Sequence, residues 1–139
     1  MNESNHENLF TAPIEVRWRD LDAFNHVNNS IYLTYVEQAR LDWLQHLPGT
    51  WMDDQSAPVM AACQLNYRAP IHWPARVEVR LHCDRLGNSS MILGHHIVDA
   101  HPSGTVYCDG TVTLVWIDPS TGKSTPLPEA VRMAAKGTD

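Results

Sequence analysis

The chain has 139 residues, 43% of them hydrophobic, a length for one domain (1–139) with enough apolar side chains for a proper core. Its 16 acidic against 10 basic residues give a formal net charge of −6, the wrong balance for a nucleic-acid binder, because neutralising phosphates takes clustered Lys and Arg. Lys123 and Lys136 are the only lysines, so a local patch for a small phosphorylated ligand would be built mainly of arginine.

No apolar run approaches the roughly 20 residues that span a bilayer. The N-terminal MNESNHENLF lacks the apolar core of a signal peptide. A cytoplasmic protein with no membrane partner is the expectation. Cys63, Cys83 and Cys108 are odd in number, widely spaced and set among apolar or alternating residues, which reads as buried free thiols rather than a metal or redox motif. His95 and His96 are neighbours on an expected strand, where adjacent side chains face opposite ways, so they do not jointly grip one metal. No metal site is expected.

Residues 1–11 read as a loose lead-in, and 136–139 as a loose tail. Ile14, Val16 and Trp18 alternate with Glu15, Arg17 and Arg19 as a first strand. A polar loop, Asp20 to Asn29, ends it, with Asn29 or Ser30 as the residue whose side chain caps the following helix. From Ile31 to about Leu47, Tyr32, Tyr35, Val36, Ala39, Trp43 and Leu47 recur every three or four residues. Leu33, Leu41 and Leu44 widen that stripe, and Glu37 and Arg40 stand three apart, able to pair along its flank. Pro48 and Gly49 stop the helix.

After the connector Thr50–Pro58, strands follow one another. Val59, Ala61, Cys63, Leu65 and Tyr67 alternate with polar residues, and so do Val77, Val79, Leu81 and Cys83. Leu86-Gly87-Asn88 is a hairpin turn with Gly87 free to take positive φ. Met91–Val98 is apolar enough for a central strand. After the turn at His101–Gly104, Thr105–Ile117 carries Val112, Leu114 and Trp116 on one face. Turn formers fill Asp118–Gly122, and a short helix is expected from Glu129 to Ala135. One strand, one long helix and four antiparallel strands make an α+β chain, the helix laid across one face of a five-stranded sheet. Open sheet edges invite pairing with a second copy, as a homodimer or homotetramer.

The loop DLDAFNHVNN combines carboxylates with a helix N-terminus, where free N–H groups and the dipole favour developing negative charge. Such residues are also common in purely structural loops, where they cap and turn the backbone. A carboxylate beside such a terminus nonetheless supplies both halves of an acyl-transfer site: a base or nucleophile and an oxyanion hole.

RWRDLDAFNHVNNSIYLTYVEQARLDWL resembles the signature of hotdog-fold acyl-CoA thioesterases of the 4-hydroxybenzoyl-CoA thioesterase-like group: Asp-x-Asp, a short loop, His-Val-Asn-Asn, a tyrosine, then Glu-x-x-Arg on the helix. The resemblance continues through NYRAPIHWPARVEVRL, RLGNSSM, TLVWID and PLPEAVR, in order along nearly the whole chain. It implies a hotdog fold, one long central helix wrapped by the five-stranded antiparallel sheet, and hydrolysis of a fatty or aryl acyl-CoA, or an acyl-carrier-protein thioester, with no cofactor beyond the coenzyme A of the substrate. By the same resemblance Asp22 is the nucleophile or general base, which leaves Asp20 structural, and a backbone N–H near Asn29 holds the oxyanion. His26 and Asn28 take supporting roles. Arg85, Asn88, Ser89 and Ser90 approach the CoA arm, with Arg68 and Arg132 as further phosphate candidates. Tyr32 and Tyr35, with Trp43, line an acyl pocket unless they are plain core. Glu37 is the rival acid, since some hotdog thioesterases carry it on the helix. Asn25 stands where many relatives have glycine, and of the non-glycine residues asparagine is among those that best tolerate positive φ. Two other readings share these residues: a hydratase or dehydratase using Asp22 with His26 on an enoyl or hydroxyacyl thioester, and a non-catalytic acyl-thioester binding module.

Overall fold

A computed structural model describes residues 7–101 and 103–136. Strand β1 (Asn8–Glu15) leads through a single 3-10 turn (Trp18–Asp20) and a loop into helix α1 (Asn29–Gln45). Strands β2 (Ala57–Tyr67), β3 (Arg76–Leu86), β4 (Ser90–Asp99) and β5 (Val106–Ile117) follow, then helix α2 (Glu129–Lys136). The five strands form one antiparallel sheet in the order β1-β3-β4-β5-β2. The expected α+β architecture, its strand count and the central place of β4 are all present.

The core lies between α1 and one face of the sheet. Tyr32, Tyr35, Val36, Ala39, Trp43 and Leu44 of the helix meet Val77, Val79, Leu81, Leu93, Ile97, Val112, Leu114 and Trp116. The alternating apolar residues of β3 and β5 therefore point where their period of two requires. The connector before β2 is held by its backbone: the Trp51 carbonyl accepts the Trp116 indole N–H at 2.9 Å.

Several expectations are corrected. β1 begins at Asn8, inside the expected lead-in, and ends at Glu15; the first six residues lie outside those described. The strand reading carried on to Trp18, but Trp18 enters the 3-10 turn and is 67% exposed. Helix α1 starts two residues early because Asn28 is the cap, its side chain accepting the Ser30 N–H. Leu41 is exposed, while Arg40 is buried in its place. Cys63 is exposed and Cys83 half-buried; only Cys108 is the buried thiol expected of all three. Gly87 is not among the positive-φ glycines; its hairpin instead closes through its N–H on the Ser90 carbonyl at 2.8 Å.

Two features position the site. Helix α1 packs most closely on β1 and β3, and its buried face shares one core with β4 and β5. Strand β2 is an edge whose alternation looked half-buried, yet Val59 and Met60 are 42% and 45% exposed.

Candidate active site

The loop between β1 and α1 folds back as a tight antiparallel hairpin. Leu21 and Val27 bridge, the Asp22 N–H donates to the His26 carbonyl at 3.1 Å, and the Asn28 N–H donates to the Asp20 carbonyl at 2.9 Å. At its tip Asn25 has φ 66°, the left-handed conformation that glycine takes most easily and asparagine tolerates. The departure from the family pattern thus falls on the one residue of the loop that needs positive φ.

Asp20 pins this hairpin to the body of the protein. It is 1% exposed, and its Oδ2 accepts the Tyr35 hydroxyl at 2.6 Å and the Arg17 N–H at 3.0 Å. Arg17 Nη2 reaches Oδ1 at 3.2 Å. Burial raises the Asp20 pKa, but the Tyr35 hydroxyl and the Arg17 backbone, side chain and charge outweigh it, leaving the carboxyl below its ordinary value. Burial, and then the bond to Asp20, raise Tyr35 in turn. The first aspartate is therefore a structural anchor, the role left to it in the sequence.

Asp22 is half-buried. Its Oδ1 accepts the Phe24 N–H at 2.9 Å, while Oδ2 has no hydrogen-bond partner among the described residues. At the end of the hairpin, Asn28 Oδ1 accepts both the N–H and the hydroxyl of Ser30, so Asn28 is the helix cap. The next N–H, that of Asn29, is exposed at the first position of α1 and donates to no acceptor among the described residues. A carboxylate oxygen and a helix-terminal N–H, both unspent, thus occupy one short hairpin. Such a pair can attack or deprotonate at one atom and hold negative charge on the next.

His26 is half-buried, with Nδ1 unpartnered, and its ring meets the edge of His72 at 6.2 Å between centroids. Tyr32 and Tyr35 are 2% and 4% exposed, and their hydroxyls are engaged by the Ala69 carbonyl and Asp20. Trp43 is likewise core. Glu37 is exposed on the helix and 3.7 Å from Arg40, the expected flank pair. Arg68 is held by both oxygens of Asp109, and Arg132 donates to the Gly87 and Asn88 carbonyls. Arg85 is exposed at the β3–β4 hairpin with Asn88, Ser89 and Ser90.

That hairpin does not meet Asp22 within one chain. The Val27 N–H bonds to the Ile71 carbonyl, so the Asp22 loop sits at the Arg76 end of β3. Arg85 lies nine strand positions further on, about 30 Å away at roughly 3.3 Å per residue. The sequence reading missed His72 beside His26, and Tyr67, whose hydroxyl donates to the Asn29 carbonyl at 3.0 Å. Both lay inside NYRAPIHWPARVEVRL, a stretch already marked by the resemblance, but nothing in it assigned either residue a role.

The sequence pattern of the thioesterase-like superfamily matches residues 16–135, nearly the whole chain. The chain belongs to the thioesterase-like superfamily. The long-chain acyl-CoA thioesterase FadM of Escherichia coli K12 is 33% identical over 121 residues, covering 86% of this chain and 91% of FadM. Among solved structures, a putative acyl-CoA thioesterase from Xanthomonas campestris is 43% identical at a TM-score of 0.79, covering 86% of this chain and 99% of that one. A Thermus thermophilus thioesterase solved with coenzyme A and zinc is 32% identical at a TM-score of 0.78, covering 93% and 92%. Membership in this superfamily makes the α+β architecture a hotdog thioesterase fold, and all of the loop from Asp20 to Asn29 falls inside the matched region.

Proposed function

We propose that this superfamily member hydrolyses an acyl-CoA to a carboxylate and free CoA at the Asp22–Asn29 hairpin. The observation that carries the reading is that an Asp22 oxygen and the Asn29 N–H, in one loop and at the start of its helix, both lack a partner among the described residues. The thioester carbonyl lies over the start of α1, and as its carbon becomes tetrahedral the oxygen gains negative charge, stabilised by Asn29 N–H and the helix dipole. Asp22 either adds to that carbon, expelling CoA thiolate and leaving a mixed anhydride that water opens, or takes a proton from the water that adds instead. A thioester is reactive enough for either route without a metal or redox cofactor. Asn28 caps the helix, and His26 closes the hairpin through its carbonyl.

FadM, the named relative at 33% identity, supports a long-chain fatty acyl group over an aryl one. The β2 edge, along which Val59 and Met60 are exposed, supports a homodimer. In such a dimer the Arg85–Ser90 hairpin can approach a thioester only from the second copy.

The test is thiol release with a panel of acyl-CoAs graded in length and aromaticity, alongside an enoyl-CoA. Release from saturated long-chain acyl-CoA supports hydrolysis; hydration of the enoyl-CoA without thiol release would move the chain to the hydratase class. Sedimentation that finds an active monomer at micromolar concentration would remove the dimer.

A further inference from the structure

Beside the active loop lies a groove that the hydrolysis itself does not use. We propose that this groove, lined by Trp73, Arg76, His101 and Glu15, holds the nucleotide end of acyl-CoA; the idea rests on the thioesterase reading above.

Position is the first argument. The Val27 N–H ties the active loop to the Ile71 carbonyl at 2.8 Å, and the His26 and His72 rings touch edge-on. Trp73 is the next residue, so the groove opens at the end of the sheet that carries Asp22. The hairpin arginine, Arg85, is at the opposite end.

The second argument is which arginines are unspent. Arg17 is committed to Asp20, Arg40 is buried, Arg68 pairs with Asp109, Arg80 with Glu78, and Arg132 with two carbonyls. Arg19, Arg76 and Arg85 remain exposed without an ion pair among the described residues. Of these three, Arg76 lines a groove. On a chain of net charge −6, an uncommitted guanidinium in a concavity is the natural seat for phosphate, which it can grip with two N–H groups.

Third, the groove offers a stacking surface and the right size. Trp73 is 47% exposed, and an open indole face takes a purine ring whatever the base. The cavity is about 430 Å³, within the range of small-molecule sites. His101 adds a ring N–H donor. Glu15 opposes the anion. It stands across the β1–β3 register from Arg76, yet forms no ion pair with it.

The experiment compares two thioesters of the same acyl group, one on CoA and one on N-acetylcysteamine, which lacks the nucleotide. Arg76→Glu is expected to raise KM for acyl-CoA about tenfold, the scale of losing one charge-assisted contact, with kcat unchanged and no effect on the N-acetylcysteamine thioester. Trp73→Ala follows the same split, and Glu15→Gln lowers KM for acyl-CoA alone. Calorimetric titration with adenosine 3′,5′-bisphosphate gives a readout independent of turnover: binding to the native protein and its loss in Arg76→Glu are expected. Unchanged KM in Arg76→Glu, an effect confined to Arg85→Glu, or no nucleotide binding by the native protein overturns the assignment. Nucleotide binding without thiol release would support the groove and count against the thioesterase reading.

Discussion

Removing the Tyr35 hydroxyl tests how the Asp20–Asn29 loop is held. In Tyr35→Phe the ring keeps its place in the core, but Asp20 loses the 2.6 Å donor to a carboxylate that is 1% exposed. A buried hydrogen bond to a charged acceptor contributes about 1.5–3 kcal/mol, and leaving the acceptor short of a partner puts the loss in that range. For a domain of this length that is a fall in Tm of about 5–10 °C. The pH dependence carries the sign. Folding depresses the Asp20 pKa, so its contribution is present above the ordinary carboxylate pKa of 3.8 and fades as pH falls through the lower folded value. Without Tyr35 the largest lowering contribution is gone and the folded pKa rises. The gap between the two proteins is therefore widest near neutral pH and narrows toward pH 3. Thermal melts of both proteins from pH 3 to 7 measure it. Equal Tm at pH 7, or a gap that does not change with pH, would show that Asp20 does not anchor the loop as an ionised group.

His95 has no exposure and is pushed down to about 4, mainly by burial and then by the neighbouring His96. Its folded pKa lies below the ordinary 6.5, so the unfolded chain takes the proton first and stability falls as pH drops from 6.5 to 4, by roughly 3 kcal/mol. Urea melts of His95→Gln should lose most of that slope; an unchanged slope assigns it to other groups. Asn25, at φ 66°, should accept glycine with little change in Tm, whereas Asn25→Val should cost about 1–2 kcal/mol and loosen the hairpin. Equal Tm values for the two variants would mean that the tip adopts another conformation.

Much of this site was readable because its logic is local. Asp22, Asn25 and Asn28 act within ten residues of each other, and a strand, a tight turn and a helix start leave marks in the sequence. The misreadings come from residues whose place depends on the rest of the fold. Val59 to Tyr67 alternates like a half-buried strand, but β2 is an edge exposed from Val59 to Gln64 and meets α1 near its end, through Tyr67, so the pattern gave no sign of its place. Arg40 and Leu41 are adjacent on α1 and so lie roughly 100° apart around it, and which of the two faces the core is set by where the sheet lies, not by the helix itself. Trp18 continued the period of two until the Arg17–Asp20 contact turned the backbone. His72 comes beside His26 only through the long-range bond from Val27 to Ile71.

The central claim is that Asp22 does the chemistry, and the most direct measurement is thiol release by Asp22→Asn. The amide oxygen can still accept the Phe24 N–H, so the hairpin and the Tm should be preserved. Loss of about 100-fold or more in thiol release from acyl-CoA, at unchanged Tm, is the predicted result. Full thiol release by the folded variant would contradict the account and turn attention to Glu37.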